Sequence, residues 1–512
     1  MDTTIVSAIP EQEKSCDDCN SDPAQEPLPV GPRHDSIGYH PVLTHISRDT
    51  GSHSMAEKDD RNPLPLSCFE EYLFREDSPA FPMTVTFRLG FSGFLESEAF
   101  RDALAVVLPR HPLLRATVSP GRFGRSTWTD HPEWFPTIHR QAQGDGIGIS
   151  DTSFMDLTKE PGMRVWLLDR DDGHDLVMRF HHCCTDGKGL MLFVEDLLIA
   201  YTLHQNPPEG GLALRRLEPH TLRRRGAPRL HGLTYLKAVL MQIGVVKEVV
   251  EFFLRTPSPL KDTPRVSPGK SPRATHVAPF FFRFDQIETG RIISAAKHFN
   301  ATLHELLLRD LLLAVGGWRE RKGTGRDGDW LRFSMPVNLR GPDEETMPMA
   351  NSISLKFIDW RRRDFTGRGP LLRFVREFMK SIDRFYRKYT FLFSVGVARF
   401  LPGGISRFTR DSKCYATTGF SNIGRVLDRL PLPQSDGRAV VGNILLESVD
   451  IVPPPLRPHM DASFVAYTYG NRLQLGIKYN PCVLSDDDAR ELLEMYVEEI
   501  RGSVQESSRN RT

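Results

Sequence analysis

The run His181-His182-Cys183-Cys184-Thr185-Asp186-Gly187 constrains this chain more than any other stretch of it. It directly follows Asp175-Leu176-Val177-Met178-Arg179-Phe180, which reads as a strand. It leads into Leu190 to Leu203, a helix apolar on most sides and therefore expected to be largely buried. Two histidines at a strand end, followed by an Asp-Gly turn, put an imidazole at a sharp change of chain direction. A ring held in that way is rigid at its root and still open to a cavity, as a general base must be.

The surroundings of this run fit an alternation of strands and helices. Val165-Trp166-Leu167-Leu168 and Leu176 to Phe180 flank Asp171-Asp172-Gly173, a hairpin turn. Earlier, Met83 to Leu89 alternates with period two, and Glu96 to Leu108 forms an amphipathic helix with Ala99, Leu104, Val107 and Leu108 on its apolar face. Residues 1–62 are rich in Asp, Glu, Ser, Pro and His and poor in large apolar side chains, so they are expected to be a disordered tail. Order is expected from Pro63 onward, with a first subdomain over 63–206. From 207 to 275 the chain turns basic (Arg215, Arg216, Arg223, Arg224, Arg225, Arg229), then apolar, then Pro-rich. This predicts a linker carrying an apolar helix. A second subdomain is expected over 276–512. It opens with the strand Pro279 to Phe284, followed by a capping box at Thr302 and Glu305 ahead of the helix Leu306 to Val315. Further strands are predicted at Leu331–Pro336, Ser352–Phe357, Val441–Glu447, Ser463–Tyr469 and Leu473–Tyr479, and a last helix after Ser485.

Bulk properties exclude several classes. Sixty-six basic against 65 acidic residues leave a formal charge of +1, which gives no reason to expect a nucleic-acid partner. The seven cysteines are scattered. Cys16-x-x-Cys19 has no second pair or histidine cluster near it, so free thiols in a reducing compartment are expected and no metal site is. Residues 1–30 have no signal-peptide pattern. The longest apolar segment, Leu233 to Leu254, carries Lys237, Lys247, Glu248 and Glu251, so a cytoplasmic protein is expected. That segment and Phe391 to Leu401 read as core helices, with docking on a bilayer or shaping a lipid-accepting mouth as the alternative.

The pattern His-His-x-x-x-Asp-Gly resembles the signature of the condensation-domain and chloramphenicol-acetyltransferase-like acyltransferase superfamily. Other segments resemble it in the same order: Arg110-His111-Pro112-Leu113-Leu114-Arg115, the helix opening at Thr302, Pro336-Val337-Asn338-Leu339-Arg340 with Ala350-Asn351, and Gly419-Phe420-Ser421-Asn422-Ile423-Gly424. The likeness covers roughly residues 63–505 and is nearest to stand-alone alcohol-acyltransferase-like and wax-ester-synthase-like members. It implies an α/β fold of two chloramphenicol-acetyltransferase-like subdomains, with mixed sheets and flanking helices around a central tunnel.

The resemblance also implies the chemistry. His182 is the expected general base, removing a proton from a hydroxyl or amine as that group attacks a thioester carbon. His181 is expected to point the other way and serve packing or hydrogen bonding. Asp186 is expected to turn from the histidine and pair with Arg340, pinning the motif loop, and Gly187 to sit where a side chain would be in the way. Ser421, Asn422 and Asn338 are the expected substrate-binding residues. The oxyanion donor is left between Ser421/Asn422 and a backbone N–H near Gly187. Cys183 and Cys184 suggest an acyl-cysteine route, but packing is the better reading of both. Lys188-Gly189 departs from many condensation domains, which carry Ser two residues after the motif glycine. The expected activity is therefore an acyltransferase with acyl-coenzyme A as co-substrate, an alcohol or amine as acceptor, and no permanently bound cofactor. A condensation enzyme fed by acyl carrier proteins and a non-catalytic binding protein of the same fold are the alternatives.

Overall fold

The computed structural model describes residues 63–509 apart from 122–125, 143–153, 206–210, 228–245, 247, 262–278, 342–343, 399–403, 406–412 and 454, and gives no side-chain placement for 383–386. The predicted tail, Cys16 and Cys19, Arg229 and most of the linker's apolar stretch lie outside the described residues.

Two large sheets carry the fold. The first has seven strands in the order β12 (Gln434–Ser435), β13 (Arg438–Val441), β14 (Ile444–Ile451), β2 (Thr84–Ser92), β7 (Gly173–His181), β6 (Met163–Arg170) and β5 (Ile138–Gln141). Its pairs are antiparallel except β5 with β6. The second has six: β10 (Ile353–Trp360), β9 (Leu331–Asn338), β11 (Thr418–Arg425), β15 (Ala462–Tyr469), β16 (Arg472–Tyr479) and β8 (Phe280–Arg283). There β11 runs parallel to both neighbours, which makes the sheet mixed. A small third sheet joins β1 (Leu64–Pro65), β4 (Thr127–Asp130) and β3 (Ala116–Ser119).

Period-two alternation decides which residues face which layer. Leu176, Met178 and Phe180 of β7 and Phe87, Leu89 and Phe91 of β2 enter one core. Covering them are the helix Ser97–Val107, through Phe100, Ala103, Leu104 and Val107, and the helix Gly187–Gln205. The latter is apolar nearly all round but buries Glu195 and Asp196. Asp196 accepts from Arg110 Nε (3.0 Å) and faces His111 Nε2 (3.3 Å), while Arg215 pairs with Glu195. A second core lies under the other sheet, between the helix Leu303–Arg321, whose Thr302/Glu305 capping box is formed, and the helix Asp486–Arg509.

Expectations for three segments need correction. Residues 434–451, assigned from sequence to the second subdomain, complete the sheet of the first by pairing β14 with β2. The physical reason is a shared apolar face: Ile444, Leu446, Val449 and Ile451 extend the first core. Tyrosines of β15 fasten the crossing. Tyr467 Oη donates to Val449 O (2.9 Å) and accepts from Ile451 N (3.1 Å), and Tyr469 Oη donates to Leu446 O (2.7 Å). The strand predicted over Val441–Glu447 is split by the turn at Gly442, whose φ is +62°.

The basic stretch, expected to be part of a linker, is in part built into the fold. Arg225 is buried on Glu70 through two contacts of 2.6 Å, because a carboxylate shut away among Trp128 and the helix Cys68–Glu76 requires a cation. Leu222 enters the first core, whereas Arg223 and Arg224 are exposed. The helix Thr390–Ala398 of the second apolar segment is a core helix on one side only, and the described end of the first buries no residue. Leu392, Val395 and Ala398 are buried and Phe393 and Val397 exposed, and Val250, Phe253 and Leu254 are likewise exposed. No helix among the described residues is long and apolar enough to cross a membrane.

Candidate active site

Strand β7 ends at His181, residues 182–184 turn, and a helix starts at Gly187. The turn is tied at every peptide that matters. His182 N donates to Met83 O (2.7 Å), and Asn351 Nδ2 donates to the carbonyls of both His182 and Cys183 (2.7 Å each). Asn351 comes from the second half, so the two halves jointly fix the backbone that carries the His182 ring.

His182 is half-buried and lines a pocket. Its Nδ1 lies 2.8 Å from Thr185 O. A carbonyl can only accept, so Nδ1 carries the proton and the Nε2 lone pair is left open in the neutral ring. Burial pushes the ring's pKa below its ordinary value. The imidazole is therefore neutral, and able to take a proton, at neutral pH.

His181 is fully buried and points away, as its position on the strand implies. Cys183 N donates to its Nδ1 (3.0 Å), so Nε2 carries the proton and donates to Asp77 Oδ2 (3.1 Å). Asp77 Oδ1 in turn accepts from Met83 N (2.8 Å), beside the contact that holds His182. Asp77 was not legible in the sequence: an isolated Asp far along the chain from the motif carries no local signal. Cys183 and Cys184 are buried, and desolvation pushes both thiols well above their ordinary range. Neither is poised as a nucleophile.

Asp186 faces away from the ring and makes an ion pair with Arg340 (2.7 Å). Its carboxylate also accepts from Ser352 N (2.7 Å) and Gly189 N (2.9 Å), and Arg340 Nη2 donates to Ala350 O (2.7 Å). Asn338 Oδ1 lies 3.4 Å from Arg340 Nη1 and borders the pocket. The expectation for Gly187 is overturned: a Cβ there would meet nothing nearer than Ile423 at 3.9 Å. The crowded glycine is Gly189, where a Cβ would fall 2.8 Å from Thr185 Oγ1 and 2.9 Å from Ala350 O, because the helix start is pressed against the second half.

The pocket lies between the motif, the face of β9, β10 and β11, and a helix the sequence reading missed, Cys68–Glu76. Ser67 and Glu70 form a capping box that was visible as Ser-Cys-Phe-Glu just after Pro65-Leu66. Phe69, Tyr72, Leu73 and Glu76 share one face of that helix and line the pocket, and Glu76 is ion-paired with Arg457. Ser421 and Asn422 line it from β11, as expected. Asn422 Oδ1 accepts from Gly424 N (3.0 Å), which leaves its NH2 group as the one on offer. Among the described residues no group of three His, Cys, Asp or Glu is placed to hold a metal.

No protein-family model matches the chain. An uncharacterized protein of Mycobacterium tuberculosis is 24% identical over 312 residues, 59% of this chain and 68% of that protein. The probable non-canonical nonribosomal peptide synthetase CymA of Salinispora arenicola is 30% identical over 148 residues, 27% of this chain but 2% of that much longer protein. Among solved structures, the condensation domain of the Monacolin K polyketide synthase MokA superposes with a TM-score of 0.61 at 15% identity, covering 87% of this chain and 98% of that one. The epimerization domain of tyrocidine synthetase B gives 0.60 at 14% identity, covering 88% and 98%. The chain has the fold of these domains, two chloramphenicol-acetyltransferase-like α/β subdomains.

Proposed function

We propose that this protein is a condensation-type acyltransferase that uses His182 Nε2 as its general base. The observation that carries the reading is the pinned tautomer: Nδ1–H is held by Thr185 O, so the free lone pair belongs to the nitrogen left for the pocket. An amine or hydroxyl acceptor would lose its proton to Nε2 as its N or O attacks the thioester carbonyl. The C–S bond then breaks, and the thiolate leaves with the proton returned from the imidazolium. The Ser421 hydroxyl and the Asn422 NH2 group are the side-chain donors available to the oxyanion. Asp186 and Arg340 act as a joint that holds the ring's turn, not as a relay, because the carboxylate is engaged by Arg340, Ser352 and Gly189.

The donor is a thioester. Acyl-coenzyme A as co-substrate and an acyl group on a carrier protein both satisfy this chemistry, and the sequence likeness to segments of peptide synthetases favours testing the carrier-bound form equally. The intact His182, Asp186 and Arg340 set argues against a silent scaffold.

Initial rates of thiol release are the test, measured with acyl-coenzyme A and carrier-loaded acyl donors against amines and alcohols. Direct transfer requires both substrates at once and gives intersecting lines. A Cys183→Ala/Cys184→Ala protein should keep most of its activity, since both thiols are buried and protonated. Parallel lines, or an acylated peptide spanning 180–190 formed with donor alone, would replace this mechanism with a cysteine route.

A further inference from the structure

The wall of the pocket beside His182 is chemically one-sided. Helix Cys68–Glu76 turns Phe69, Tyr72 and Leu73 into it, and β10 faces them with Ile353 and Leu355 from one side of its pleat. Met83 and Met460 add thioethers, which adapt to apolar ligands of varied shape. The groups β9 and β11 contribute are neutral: the Ser334 and Ser421 hydroxyls and the Asn338 and Asn422 amides. Three of the four Asp, Glu, Lys and Arg side chains in the wall are committed elsewhere. Glu76 is paired with Arg457, whose guanidinium also lies 5.4 Å from the centre of the Tyr72 ring, and Asp186 is held by Arg340. Lys188, the fourth, lines the pocket from the exposed start of the motif helix, where water screens its charge. A charged group buried in this pocket would lose its water and gain at most the solvent-screened charge of Lys188, whereas an aliphatic or aryl group would meet close-packed carbon.

We propose that this pocket binds an apolar, aliphatic or aryl portion of the substrate, with Tyr72, Leu73 and Leu355 setting its size. The proposal rests on the transferase reading for the fate of the bound group, though not for the binding itself. The apolar group could arrive on the thioester or on the acceptor, so the test has two arms.

Titration calorimetry of the full chain measures binding of acetyl-, hexanoyl-, benzoyl- and succinyl-N-acetylcysteamine in one arm. Hexylamine, benzylamine and β-alanine form the other. In one arm the apolar members should bind at least tenfold more tightly than the charged one, since each buried methylene is worth up to about fourfold in affinity. Leu73→Trp should fill the pocket and remove that advantage. Because Leu73 is itself buried, Leu355→Trp on the half-buried opposite wall is made alongside, with thermal unfolding to verify the fold. Equal affinity for charged and apolar members in both arms, no binding of any apolar member, or unchanged affinity in both folded Trp variants would each overturn the proposal. Apolar binding without turnover in any combination would sink the transferase reading and leave the pocket's preference standing. Turnover without apolar preference would do the reverse.

Discussion

The two sides of the motif turn are built from neighbouring residues and end in opposite states. On the inner side, His181 has both ring nitrogens engaged, Cys183 is buried beneath Glu70, and Asp186 holds three donors. On the pocket side, His182 has one nitrogen held, and Nε2 remains for a ligand. Burial with full hydrogen bonding fixes geometry, and the single lone pair left on that fixed frame is the one the proposed base would use. The contrast explains why two adjacent histidines need not share a role.

The sharpest way to break this contrast is to remove the open side. His182→Ala should reduce thiol release by about 10²–10⁴-fold while leaving the thermal midpoint within a few degrees, because the lost ring ends in a pocket. A mutant that keeps more than a few per cent of turnover takes His182 out of the chemistry.

The inner side should answer in stability first. Asp186→Ala strands the Arg340 guanidinium and two backbone N–H groups, and removing one partner of a buried pair costs about 3–5 kcal/mol. Denaturant unfolding of Asp186→Ala, Arg340→Ala and the double variant should give a double loss smaller than the sum of the single losses. Strict additivity would mean that the pair does not act as one joint.

Asp77→Ala should be milder. It leaves His181 Nε2–H and Met83 N–H without acceptors, a loss of about 1–3 kcal/mol in unfolding free energy. Since Met83 O holds His182 N, kcat should fall further than KM changes. A shift in KM alone would place Asp77 outside the positioning chain.

The smallest expected effect is on pH dependence. His182 and His111 are pushed below the ordinary imidazole range by burial, and His304 falls to about 4. A histidine whose folded pKa is depressed contributes stability above its unfolded pKa of roughly 6.5, lost as pH falls through that value towards the folded pKa. That histidine contribution is opposed over the same window by Asp461 and Asp310, whose carboxyls burial raises to about 7 and about 6, so the clean reading is kcat/KM, which should fall on acidification along a limb centred below 6.5. An acid limb centred above 6.5 would contradict the buried neutral ring.

Much of this architecture was legible because it is local. The hairpin at Asp171-Asp172, the Thr302/Glu305 capping box and the apolar helix after Gly187 all follow from spacing within a few residues. The helix Arg368–Asp383 was not among the predicted elements: Gly367, Gly369 and Pro370 interrupt the helical pattern at its start, although Pro suits a first helical turn. The placement of β14 was not legible, since alternation announces a strand without saying which edge receives it. Within the site, the residues of the His motif were readable from the motif itself. Asp77 and Arg457 were not, being single residues that folding carries to their partners from other segments.

The crossing of β14 bears on how the chain is made. Leu445 pairs with Ser92, so synthesis on the ribosome completes β2, β7 and the whole motif segment long before their sheet can close. Until Ile444–Ile451 emerges, one edge of β2 presents unpaired peptide groups beside apolar side chains, a surface open to mispairing with other nascent chains. The native hydrogen bonding of the His strand's sheet is thus finished by residues translated well after the motif itself, and a truncated product lacking them would carry an intact motif on an unfinished sheet.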